Sequence, residues 1–134
     1  MTIREIVDRL DAYVADLEVP APYWLTGSDA DESQVYCFSC AEAAAAKSIG
    51  TEVAGGYGGE SDSCEHCDTC GRVLDYTLTD AGVGSEIDHF RKVRFRKPLG
   101  KEEAYHVARM LAGAEDDPDA IRIATRAVNA IPPA

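Results

Sequence analysis

The strongest constraint in this sequence is the spacing of its cysteines. Cys37-Phe-Ser-Cys40 and Cys67-Asp-Thr-Cys70 are two Cys-x-x-Cys turns with 26 residues between them. One such turn points two sulfurs at a common point, and two turns supply the four tetrahedral ligands of a structural zinc ion. Gly71, directly after the last cysteine, suits a knuckle in which the backbone must come round with positive φ. Closing the long intervening loop costs only logarithmically more than closing a short one, so the spacing is compatible with one shared ion. Four thiolates fill the coordination shell and leave no open position for water, and the His-x-Glu then Pro-Cys-x-x-Cys pattern of zinc deaminases is absent. The spacing therefore predicts a structural Zn2+ held by Cys37, Cys40, Cys67 and Cys70, with no catalytic residues.

Cys64 complicates this set, because Cys64-Glu-His-Cys67 has the same spacing. Gly71 and the extended run that follows favour Cys67 with Cys70, and Cys64 stands as an extra thiol or an alternate ligand. His66 is expected to face solvent. A redox dithiol from Cys64 and Cys67 would need a thioredoxin-like βαβ setting, which the sequence lacks.

The surrounding pattern is mixed. Ile3, Ile6, Val7, Leu10, Tyr13, Val14 and Leu17 recur at three and four residue intervals and predict an amphipathic helix within residues 1–19, with Thr2 and Glu5 at capping-box spacing. Pro20 and Pro22 end it, and Gly27 to Glu32 reads as an exposed acidic loop. Gln34 to Tyr36 is extended, and Ala41 to Ser48 is a short Ala-rich helix ending at Gly50, which places the first cysteine pair at a helix start. Residues 50–63, rich in Gly and acids, read as a mobile excursion without a phosphate-loop motif.

Beyond the knuckle, Arg72 to Leu78 alternates as a half-buried strand would, and a turn is expected from Asp80 to Gly84. Residues 87–97 alternate again and predict a second strand paired with the first. Lys101 to Ala112 carries a helical stripe of Ala104, Val107, Ala108 and Leu111, with Gly113 as its cap. Asp117 and Pro118 open another helix, with Ile121, Ala124, Val128 and Ile131 as its apolar face. Trp24, the only tryptophan, is expected against the first helix or on a partner surface.

Charge is distributed unevenly in a chain whose net charge is −11. Residues 1–90 carry 18 acidic and 4 basic side chains, and residues 91–134 carry 6 and 9. The acidic part repels nucleic acid and membrane surfaces and favours basic partners. The basic run Arg91, Lys92, Arg94, Arg96 and Lys97, interleaved with Phe90 and Phe95, reads either as an edge strand protected by its charges or as a phosphate-contacting strip. His89, His106, Glu86 and Asp88 form no recognisable acid-base or nucleophile motif. No run approaches the roughly 18 apolar residues of a membrane span, and the start lacks a signal-peptide pattern, so a cytoplasmic location is expected.

The segment YCFSCAE, the glycine-rich and acidic stretch, and HCDTCGRVLDYTLTDAGVGSEIDHF resemble small, mostly uncharacterised zinc-ribbon-type proteins of bacteria and phages. The resemblance covers roughly residues 35–90, supports the same four cysteines as the metal set, and makes Cys64 a departure from the pattern. It implies no activity, and makes a small regulator or inhibitor of a host process an expectation.

The whole reads as one α+β domain over residues 1–134. A zinc-ribbon or treble-clef-like core with a β-hairpin spans 34–97, and a helical hairpin spans 99–131. The expected function is a non-enzymatic, zinc-stapled interaction module that meets a protein partner through its acidic surface. A nucleic-acid-binding ribbon using residues 91–97 is the alternative.

Overall fold

The computed structural model describes residues 1–31, 33–56 and 58–133. Glu32, at the end of the expected acidic loop, and Tyr57, in the glycine run, lie outside the described residues. The fold is α+β, with helices α1 (Ile3–Val14), α2 (Phe38–Ala46), α3 (Asp80–Arg91), α4 (Lys101–Ala112) and α5 (Pro118–Asn129). Two two-stranded sheets accompany them, β1 (Tyr23–Gly27) with β2 (Thr51–Gly55), and β3 (Glu60–Ser61) with β4 (Thr77–Leu78). The chain forms two compact units: Met1–Leu17 with Leu78–Ala134, and Glu18–Thr77.

The first, helical unit is assembled from α1, α3, α4 and α5. Thr2 caps α1 as the sequence indicates: its hydroxyl accepts from the Glu5 amide at 3.1 Å, and the Glu5 carboxylate accepts from the Thr2 amide at 3.3 Å. Asp117 caps α5 by accepting from the amides of Asp119 and Ala120, with Pro118 in the first turn. Ile6 and Leu10 of α1, Val107, Met110 and Leu111 of α4, and Ile123, Ala124 and Val128 of α5 are buried. The buried face of α5 is thus rotated from the expected one, since Ile121 is only half-buried and Ile123 is inside. The Tyr13 hydroxyl donates to the Leu99 carbonyl, and the Lys101 ammonium donates to the Tyr13 carbonyl at 2.6 Å, tying α1 to the start of α4.

The expected strand over residues 87–97 and the turn at 80–84 are not observed. Residues 80–91 form α3, capped by the Thr79 hydroxyl accepting from the Gly82 amide at 3.1 Å. Val83, Glu86, Ile87 and Phe90 are buried at helical spacing, and the three-residue step from Ile87 to Phe90 breaks the alternation expected of a strand. The β-hairpin expected between residues 72–78 and 87–97 therefore does not form. Only Thr77–Leu78 of the first segment is strand, although Leu74, Tyr76 and Leu78 are buried at the alternating positions expected.

The second, cysteine-bearing unit is built on β1 and β2, antiparallel in the register Tyr23 to Gly55 through Gly27 to Thr51. Neither strand was expected, and the 50–63 segment, expected as an excursion, supplies β2. Gly27, at φ 125°, closes this pair so tightly that a Cβ there would lie 1.9 Å from the Gly50 carbonyl oxygen. Tyr23 also bridges Tyr36 through two backbone hydrogen bonds of 2.7 and 2.8 Å, which carries the extended Gln34 to Tyr36 run alongside β1. Trp24, in β1, thus belongs to this unit and not to the helical one. No helix is long and apolar enough to cross a membrane, among the described residues.

Candidate metal centre

The four predicted sulfurs converge. Cys37, Cys40, Cys67 and Cys70 each place Sγ within 4.8 Å of the other three, and Cys37 and Cys70 are 3.8 Å apart. Two local structures bring them together. Cys37 occupies the N-cap of α2 and Cys40 its first turn, where free N–H groups and the helix dipole favour anionic sulfur. Cys67 and Cys70 sit on a tight hairpin: the Leu74 amide donates to the Glu65 carbonyl and the Cys67 amide to the Arg72 carbonyl, both at 2.9 Å. His66 bridges Val73 across it. Gly71 turns the chain at φ 80° while its amide donates to the Cys67 carbonyl at 2.9 Å.

The two halves are clamped at Asp68. Its amide donates to the Val35 carbonyl at 2.9 Å, and its carboxylate accepts from the Val35 amide at 2.7 Å. Beneath the sulfurs lies an apolar cluster of Leu25, Tyr36, Ala41 and Leu74, into which Cys37 and Cys67 are themselves buried. Cys40 is half-buried and Cys70 is exposed, so the site has two inner and two outer sulfurs.

Their acidities differ accordingly. Burial opposes ionisation of Cys67, but the amides of Cys70, Cys37 and Thr69 aimed at its sulfur prevail and bring its pKa down to about 6. Cys37 is likewise lowered: burial resists, and the Ser39 hydroxyl and the Cys40 amide overcome it. Cys40 is pushed up to about 12, first by the neighbouring Cys37 sulfur and then by burial and the other two sulfurs. A cluster that stabilises two thiolates and cannot accommodate further negative charge has the chemistry of a cation site, because a divalent ion removes the mutual repulsion. The thiolate donor set fits a soft or borderline metal, which leaves no coordination position for substrate when all four bind.

Cys64 is half-buried and stands outside the four-sulfur set. His66 is half-buried, not turned to solvent as expected. In the helical unit, His89 is exposed at the end of α3 with its ring against Phe90, and His106 is half-buried beside Tyr105 on α4. Glu86 is buried, whereas Asp88 is exposed and paired with Arg91 at 2.8 Å. The basic run is not a strand: Arg91 ends α3 and residues 92–97 form an irregular segment.

One feature escaped the sequence reading. A groove of about 510 Å3 in the cysteine-bearing unit is lined by Pro22, Trp24, Leu25 and Val35 together with Glu60, Glu65 and Asp75. Its signal was the Tyr-Trp-Leu-Thr run between Pro22 and Gly27, which has strand composition. Comparison with protein-family models, with curated proteins and with solved structures gave no match for this chain.

Proposed function

We propose that Cys37, Cys40, Cys67 and Cys70 hold one structural Zn2+ and that the unit it staples is a non-enzymatic docking module for a basic segment of a protein partner. The convergence of the four sulfurs carries the metal part of this reading. A helix N-terminus on one side and a knuckle on the other is the division of labour expected of a treble-clef-like or ribbon-type core. Zinc is the borderline-soft ion for which four thiolates are the usual closed shell.

Charge supports the docking part. Residues 18–77 hold eleven carboxylates against two basic side chains, Lys47 and Arg72. The groove beside β1 is lined by three of those carboxylates and by Trp24, and carboxylates beside an indole suit a guanidinium or ammonium group. The resemblance to small bacterial and phage proteins extends the reading to a regulator that acts by occupying its partner.

Two measurements test it. Native mass spectrometry is expected to find one zinc per chain and none after Cys67→Ser; a metal-free wild type would sink the site. Trp24, the only tryptophan, reports the groove: an Arg- and Lys-rich peptide is expected to change its fluorescence in the zinc-loaded protein. Glu60→Lys with Glu65→Lys should abolish that response while zinc is retained, and an unchanged response in that variant would refute the docking surface.

A further inference from the structure

The irregular segment that follows α3 is not absorbed by the metal centre or by the acidic groove. Lys92, Arg94, Arg96 and Lys97 are exposed, and none of them makes an ion pair among the described residues. The nearby carboxylates are already engaged: Asp119 pairs with Arg91 and with Arg122, and Asp88 pairs with Arg91. Four cations left unneutralised within six residues, in a chain of net charge −11, are a local exception to its electrostatics.

The segment is also held in place. The amides of Lys92 and Val93 donate to the carbonyls of His89 and Phe90 at 3.1 and 3.3 Å, and beyond it the Leu99 amide donates to the Ala130 carbonyl at 2.8 Å. Between these pins, Val93 and Phe95 are half-buried while Arg94 and Arg96 face outward. Phe95 stands 6.0 Å from the Phe90 ring and 5.7 Å beneath the Arg126 guanidinium, whose Nη2 donates to the Phe90 carbonyl at 3.1 Å.

We infer that residues 92–97 are a binding site for the backbone of a single-stranded nucleic acid. Two outward guanidinium forks between two ammonium groups match what such strands require: planar, bidentate contacts to phosphate, with the guanidinium planes themselves available to stack on a base. A duplex groove would need a helix or a strand ribbon to enter it, and this segment is neither. A membrane would need apolar side chains beside the charges, yet the exposed large apolar residues among those described are Met1, Phe38 and Ile49. The site lies within the helical unit and is independent of the docking reading above.

The test is fluorescence anisotropy of the zinc-loaded full chain with a labelled oligothymidine. Four neutralised phosphates predict a slope of log K against log salt of about −3, since each contributes roughly 0.7 on a single strand. Arg94→Glu with Arg96→Glu is expected to lower affinity at least tenfold without shifting the thermal unfolding midpoint, which serves as the folding control. Arg94→Lys with Arg96→Lys should keep most of the salt slope. Absence of binding at about 50 mM salt, or unchanged affinity in the charge-reversed protein, overturns the inference. So does equal affinity for a polyglutamate peptide, or capture by anionic vesicles without oligonucleotide binding.

Discussion

The two units of this chain reach a folded state by different physical routes. The helical unit buries complete side chains from α1, α3, α4 and α5, Leu10, Val107 and Met110 among them, and caps its helices with Thr2, Thr79 and Asp117. The cysteine-bearing unit has five-residue strands, a nine-residue helix and an apolar cluster in which two of six members are the cysteines themselves. So small a β structure has too little buried area to offset its chain entropy unless a cross-link assists. A metal held by the four cysteines, as proposed above, would close the loop from Cys37 to Cys70 and supply that cross-link. The contrast teaches that two of the four sulfurs, Cys37 and Cys67, are part of the small core of their unit, whereas the helices carry a core of complete apolar side chains.

The sharpest way to break this contrast is to remove the metal. Chelation, or Cys67→Ser, removes a binding contribution on the order of 10 kcal/mol and is expected to abolish amide-exchange protection across residues 18–77 while α4 and α5 stay protected. Simultaneous loss of protection in both units would show that they fold as one. Acid provides a graded form of the same experiment. Cys67 has a lowered pKa of about 6, so it is an anion at neutral pH and takes up a proton only as pH falls through that value. Cys40, pushed up to about 12, must release a proton to bind at any physiological pH. Zinc affinity, measured by competition with a chelator, is therefore expected to fall as pH is lowered through neutral, because Cys40 must lose its proton to bind, and to fall more steeply below pH 6, where Cys67 takes one up. A constant slope through pH 6 would mean that Cys67 is not the low-pKa ligand.

The helical unit should respond to different changes. In it, Asp119 is held below the usual carboxylate range, first by its hydrogen bond with Arg91. Its contribution is present above the ordinary carboxylate pKa and is lost only as pH falls through the lowered value, after the metal has gone. Leu10→Ala removes a fully buried side chain and is expected to cost about 2–5 kcal/mol in thermal or denaturant unfolding, with zinc stoichiometry intact. Loss of zinc in that variant would couple the units. The smallest effect is expected at Gly71→Ala. Nothing lies within 4 Å of the added Cβ, so only the positive φ of 80° is penalised, at about 1–2 kcal/mol. That change should weaken zinc binding and leave the exchange of α4 and α5 unaltered.

The converging cysteines were legible because their turns are written locally: two sulfurs three residues apart on one turn need no knowledge of the rest of the chain. The capping box at Thr2 and Glu5 and the Asp117-Pro118 start were legible for the same reason. Residues 87–97 were misread because Ile87, Val93 and Phe95 share one face of an alternating pattern, although Ile87 and Phe90 already stand at helical spacing, and Gly82 and Gly84 mimic a turn. The Thr79 cap, three residues before Gly82, was the local signal that decided for a helix.

Sequence by itself thus determined the identity of the ligand turns, the ends of three helices and the segregation of charge, all properties of neighbouring residues. Only the tertiary structure decided that β1 pairs with β2 across more than twenty intervening residues, that Asp68 clamps Val35, and that Cys37 and Cys67 are inner sulfurs while Cys70 is exposed. Such pairings have no local signature, because a five-residue strand is marginal until its partner arrives, and the partner's position is set by the whole chain.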